Sequence, residues 1–126
     1  MAVVQAGHPL ASRKQATLHE IVAWPLVMRE PGSGVRRLVE QACAQVGLSA
    51  TGELELAGVE GVKQAVRAGL GVGFVSALSM RHEGGGLVAV RVAPQPLTRT
   101  LSILVPHADT VARATQRFLE LCLSSI

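Results

Sequence analysis

Residues 26–47 read LVMREPGSGVRRLVEQACAQVG, and the change of period inside this stretch decides the fold. Leu26 to Arg29 is an apolar run of strand length, closed by Glu30-Pro31-Gly32. Proline removes a ladder donor and glycine tolerates a turn, so the strand must stop there. Ser33 follows as a good N-cap, with a hydroxyl able to accept from a free N–H of the next turn. Val35, Leu38, Val39, Ala42 and Val46 then fall at i, i+3, i+4, i+7 and i+11, with Arg36, Arg37, Glu40 and Gln41 opposite. That is one apolar stripe on a helix, and Gly47 ends it at the C′ position.

The same grammar repeats on both sides. Upstream, Val3 to Ala6 makes a short strand stopped by Gly7-His8-Pro9, and Leu18, Ile21 and Val22 sit at helical spacing before Trp24-Pro25. Downstream, Leu54 and Leu56 alternate with Glu53 and Glu55, the pattern of a strand with one wet face. Val59, Val62, Ala65 and Val66 form the next helical stripe, ending at Gly69. Val72 to Val75 is a candidate buried strand, and Ala77 to Glu83 a short helix or turn before the glycine triplet at 84–86. Two further strands are expected at Leu87 to Val92 and Leu101 to Val105. A last helix, starting near Asp109, is expected to bury Val111, Ala114, Phe118, Leu121 and Cys122. Alternating strands and helices call for a mainly parallel sheet flanked by helices, an α/β sandwich.

Composition narrows what such a domain does. Apolar residues make up 48% and charged residues 17%, a globular balance. The only rings among Phe, Trp and Tyr are Trp24, Phe74 and Phe118, too few for a nucleic-acid reader that stacks bases on aromatics. The net charge of +3 comes from scattered arginines and lysines and matches no DNA-binding motif. Cys43 and Cys122 lie far apart in helical stripes and read as two buried free thiols. The opening MAVVQAGHPLASRK has no long apolar core of an export signal, and Gly69 to Met80 is too short and glycine-rich to cross a bilayer. The expectation is a cytoplasmic protein that does not enter a membrane.

The search for catalysis finds nothing to carry it. His8, His19, His82 and His107 lie in separate elements with no H-x-x-H or H-E-x-x-H pair for a metal. Ser33 in Gly-Ser-Gly misses the second flanking position of a nucleophile elbow. The glycines of Gly69-Leu70-Gly71-Val72-Gly73 close a helix and enter a strand, the reverse of a dinucleotide-binding loop, so close packing explains them better. The turn before residue 34 offers more: free N–H groups and a hydroxyl at the positive end of a helix dipole suit a carboxylate or other anion. On the residues alone, Ser33 as a plain helix cap accounts for the turn equally well.

Taken in order, HPLA (8–11), PLVMREPGSGVRRLVEQACAQVGL (25–48), ELELAGVEGVKQAVRAGLGVGFVS (53–76), GGLVAV (85–90) and LTRTLSILV (97–105), with a closing amphipathic helix, form a series. It resembles the effector-binding domain of LysR-type transcriptional regulators over nearly the whole chain. The run from Arg-Glu-Pro-Gly-Ser-Gly to Val-Lys-Gln-Ala-Val-Arg-Ala-Gly-Leu-Gly-Val-Gly carries most of the resemblance. The resemblance implies a two-lobed domain of type 2 periplasmic-binding-protein form, with the ligand between lobes joined by crossover strands. It places residues of about 8–100 in the second lobe. Residues 1–7 and 101–126 become crossover strands and the return to the first lobe.

It also implies a small-molecule effector and a homo-oligomer; with the helix end at Ser33 the effector is expected to be anionic, and no cofactor, metal or catalysis is expected. DNA would be reached only through an N-terminal winged helix-turn-helix, which this sequence does not contain. The cleft residues it implies are Arg29, Ser33 and Gly34 in the first turn, and Val75 and Ser76 at the end of a strand. Gly58 departs from the pattern, because a polar side chain is common there and its ligand contact is lost. Two rivals share the fold: a transport solute-binding protein, which would need an export signal, and an enzyme, which would need an acid, base or nucleophile set.

Overall fold

Leu26 is the hinge of the architecture, because it joins two strand groups into one sheet. The computed structural model describes residues 1–98 and 112–124. Its strands are β1 (Ala2–Gln5), β2 (Gln15–Thr17), β3 (Val27–Arg29), β4 (Leu54–Leu56), β5 (Gly73–Phe74) and β6 (Leu87–Ala93). Its helices are α1 (Leu18–Val22), α2 (Gly34–Gln45), α3 (Val59–Arg67) and α4 (Arg113–Ser124), with 3-10 turns at Pro9–Ser12 and Ala77–Met80. Four strands lie in the order β2-β6-β1-β5, and β3 pairs with β4. A parallel bridge between Leu26 and Val72 links the two groups. The Val27 N–H donates to the Val72 carbonyl, and the Val72 N–H to the Pro25 carbonyl, both at 2.8 Å.

Strand sense follows from the pairings. β1 runs antiparallel to both β5 and β6, while β2–β6, β3–β4 and the Leu26–Val72 bridge are parallel. Five strands therefore share one direction and β1 alone opposes them, which is the mainly parallel sheet read from the sequence.

Period-two alternation then sorts the core into two layers. Ala2 and Val4 of β1 face one side with Leu18 and Ile21 of α1 and Val39 and Cys43 of α2. Val3 faces the other side with Val62, Ala65 and Val66 of α3. Helices thus cover both faces, as a buried parallel sheet requires. The fold class is α/β, a mainly parallel sheet flanked by helices, like one lobe plus crossover strands of a type 2 periplasmic-binding protein.

Three expectations change. Gln15–Thr17, too short to show a period, becomes an edge strand parallel to β6. His8-Pro9-Leu10-Ala11 does more than stop β1: His8 Nδ1 accepts the Leu10 N–H at 3.0 Å and caps a 3-10 turn. The last helix begins at Arg113, and none of its residues is buried, although its stripe predicted burial of Ala114, Phe118, Leu121 and Cys122. Amphipathic spacing marks a face that prefers cover; no element among the described residues buries it. Cys122 is accordingly only half-buried, whereas Cys43 is buried, and both are free. The expected strand at Leu101 to Val105, Asp109 and Val111 lie outside the described residues.

Candidate functional site at the carboxyl ends of the strands

In a parallel sheet the loops that leave the carboxyl ends of the strands gather on one side, and ligands bind there. β3 leaves the sheet at Arg29 and β5 at Phe74, so the two Ser-containing turns follow strands of the same sense. A cavity of about 400 Å³ opens beside the second turn. Phe74, Val75, Ser76 and Leu78 form one wall, and Val35, Leu38 and Val39 of α2 form another. Arg91 and Val92 of β6, Met1 and the segment Pro96 to Thr98 add to it. The polar groups of the lining residues are the hydroxyls of Ser76 and Thr98, the Arg91 guanidinium and the Met1 amino group, which donates to the Val75 carbonyl at 3.1 Å. Among the described residues, Arg91 has no ion-pair partner.

The five residues singled out from the sequence do not share this cavity. Val75 and Ser76 line it. Val75 is buried, and its N–H donates to the Met1 carbonyl at 3.1 Å. Ser76 Oγ accepts the Ser79 N–H at 3.3 Å and caps the 3-10 turn, which leaves the Ser76 hydroxyl proton free to donate. Ser33 lies on the other side of α2, in a smaller pocket of about 260 Å³ with Pro31, Gly32, Arg36, Arg37 and Glu40. Helical periodicity explains the split: residues 35, 38 and 39 face the large cavity, while 33, 36, 37 and 40 face away.

Ser33 is buried and caps α2, its Oγ accepting the Arg36 N–H at 3.3 Å and its carbonyl the Arg37 N–H at 3.0 Å. The first-turn N–H groups of Gly34 and Val35 have no partner among the described residues, so two donors remain at the positive end of the helix.

Arg29 is not a free cation. Its Nε and Nη2 donate to the two Glu30 carboxylate oxygens, each at 2.9 Å. The Arg29 guanidinium first, then the backbone N–H of Glu30 itself, and after it the Gly58 N–H at 3.3 Å hold the Glu30 carboxyl down at about 2. That last bond ties the uncapped start of α3 to the turn after β3, so the loss of a side chain at Gly58 does not leave this end unanchored. Arg36 fixes the other flank, bridging Glu40 at 2.6 Å, Glu55 at 2.8 Å and the Arg29 carbonyl at 2.9 Å.

Sequence reasoning missed Arg91, Leu97, Thr98 and Lys63. Arg91 falls inside the expected strand Leu87 to Val92 with no motif to mark it, and the fold places it in the cavity lining. Lys63 sits beside the apolar stripe of α3, yet its side chain is 5% exposed.

An apolar cavity with hydroxyl donors at the carboxyl ends of parallel strands has the form of a small-molecule site. The model of the LysR substrate binding domain matches residues 1–126, and the chain belongs to that family. It is 34% identical over 122 residues to the HTH-type transcriptional activator CmpR of Synechocystis sp., covering 95% of this chain and 40% of that protein. It is 34% identical over 125 residues to the HTH-type transcriptional regulator CbbR of Rhodospirillum rubrum, covering 95% and 42%. The chain therefore spans about two fifths of the length of these relatives. The regulatory domain of Synechocystis CcmR, solved in complex with 2-PG, superimposes with a TM-score of 0.82 at 24% identity. That match covers 98% of this chain and 61% of the other.

Proposed function

We propose that this chain is the ligand-sensing lobe of a LysR-type transcriptional regulator, and that its cavity takes one side of a small anionic effector. The observation that carries the reading is the cavity at the ends of β5 and β6, with an apolar body, two hydroxyls and an uncommitted arginine. An apolar wall with a few convergent donors suits an organic anion better than a bare ion. 2-PG in the related CcmR domain is a ligand of a protein with this fold. In this chain, Val75 and Ser76 contact the effector in the cavity, and the Gly34 N–H, outside the cavity lining, offers a separate anion-binding donor at the first turn of α2. Ser33 and the Arg29–Glu30 pair keep that turn in shape. Residues of about 8–100 form the second lobe, and 1–7 with 101–126 lead to and from the first.

In the whole regulator, effector binding biases how paired domains hold DNA-binding heads, a population shift with no chemical step. The protein works in the cytoplasm as a homo-oligomer, and touches DNA only through a helix-turn-helix outside this sequence. Among the described residues no helix is long and apolar enough to cross a membrane. Calorimetric titration of the chain with 2-PG, and with an uncharged analogue of similar size, tests the reading. Saturable binding of the anion that Ser76→Ala weakens supports it. Equal affinity for the uncharged analogue, or no saturable binding, overturns it.

A further inference from the structure

Lys63 lies on α3 between Val62 and the Ala65-Val66 pair, within a packed apolar surface, with its side chain 5% exposed. A buried ammonium is costly unless its donors are matched, and an ammonium has three. Here all three find acceptors: the Ser79 carbonyl at 2.6 Å, Glu83 Oε2 at 2.8 Å and Glu60 Oε1 at 3.4 Å. Glu83, itself largely buried, also pairs with Arg67 one turn along α3. Such clusters seldom contribute more stability than a well-packed apolar side chain of the same volume. What an apolar side chain lacks is a bond to one particular carbonyl. That carbonyl belongs to the 3-10 turn Ala77–Met80, whose Ser79 is tied to Ser76 by three further bonds. The Ser79 N–H is shared between the Ser76 carbonyl at 3.1 Å and Ser76 Oγ at 3.3 Å, and Ser79 Oγ donates to the Ser76 carbonyl at 2.8 Å.

We infer that Lys63 is a positioning residue for the ligand cavity: its ammonium holds Ser79, and Ser79 fixes the Ser76 hydroxyl that donates to the effector. This inference rests on the ligand-sensing reading above. The chain of contacts runs from α3 on one face of the sheet, through the Ser76–Met80 turn, to the cavity on the other. Glu83 sits just before the glycine triplet at 84–86, so the cluster also fastens the loop between β5 and β6.

Lys63→Met keeps the length of the stem and removes the charge, leaving Glu83 its Arg67 partner. Titration with 2-PG should show affinity at least about threefold weaker in Lys63→Met, and no further loss when Ser76→Ala is already present. Amide exchange of Ser79 should quicken at least about fivefold relative to the amides of β1, the mark of local loosening rather than global unfolding. Additive losses in the double variant, or Ser79 exchange that moves only in step with β1, overturn the inference. If the wild-type chain fails to bind 2-PG, the ligand reading falls, and Ser79 exchange alone still decides whether Lys63 holds the turn.

Discussion

Ser33 shows how one residue answers two readings. Its sequence context, Pro-Gly-Ser-Gly before an amphipathic stripe, made it both a helix cap and a candidate anion donor. The structure commits its Oγ to the Arg36 N–H and sets it in the smaller pocket, apart from Ser76. Ser33→Ala removes the cap and should cost about 1 kcal/mol of stability in urea unfolding. Ser33→Asp retains the cap and places a negative charge beside the free Gly34 and Val35 N–H groups. It should therefore keep the stability of the wild type and weaken anion binding. An Asp variant that binds 2-PG as tightly as the wild type would reduce the turn to a helix cap. Arg29 carried the opposite lesson. Its charge was legible, but the neutralising bidentate pair with its neighbour Glu30 depends on rotamers that no spacing rule contains.

At the scale of elements, most of the fold was open to reading because α2 and α3 carry clear periods and clear stops. Gly47 and Gly69 end α2 and α3 at positive φ (74° and 80°), as their positions after the apolar stripes required. Short elements were harder: β2 has three residues, too few for a period, and β5 is fixed by packing. The Gly71 and Gly73 pair, read as close packing, has that role. A Cβ on Gly71 would lie 2.5 Å from the Pro25 carbonyl oxygen, and one on Gly73 would lie 2.8 Å from Val62 Cγ1. Gly71→Ala pushes backbone apart where β5 meets the start of β3, and should cost about 1–3 kcal/mol, the range of an overpacked core. Gly85→Ala, with open space around its Cβ, should leave the unfolding midpoint unchanged. Equal midpoints for the two variants would contradict the packing assigned to this corner. The cavity was only half legible, because Arg91, Leu97 and Thr98 reach it through strand order, and no motif marks them.

For the whole molecule, the stripe on α4 is exposed among the described residues. Phe118 and Leu121 are 64% and 56% exposed, and Leu123 is 64% exposed on the same helix. Apolar side chains clustered on one exposed helix tend to find partners. Light scattering should therefore report a mass above that of a monomer, falling toward the monomer value in Phe118→Ser. A clean monomer at high protein concentration would contradict this. The central claim, that the lobe senses a small anion at the ends of β5 and β6, is tested most directly by an amide NMR titration with 2-PG. The account predicts saturable shifts confined to Phe74–Leu78, the first turn of α2 and Arg91, weakened by Ser76→Ala. Saturable shifts elsewhere with these amides unmoved, or no saturable shift at any 2-PG concentration, would contradict it.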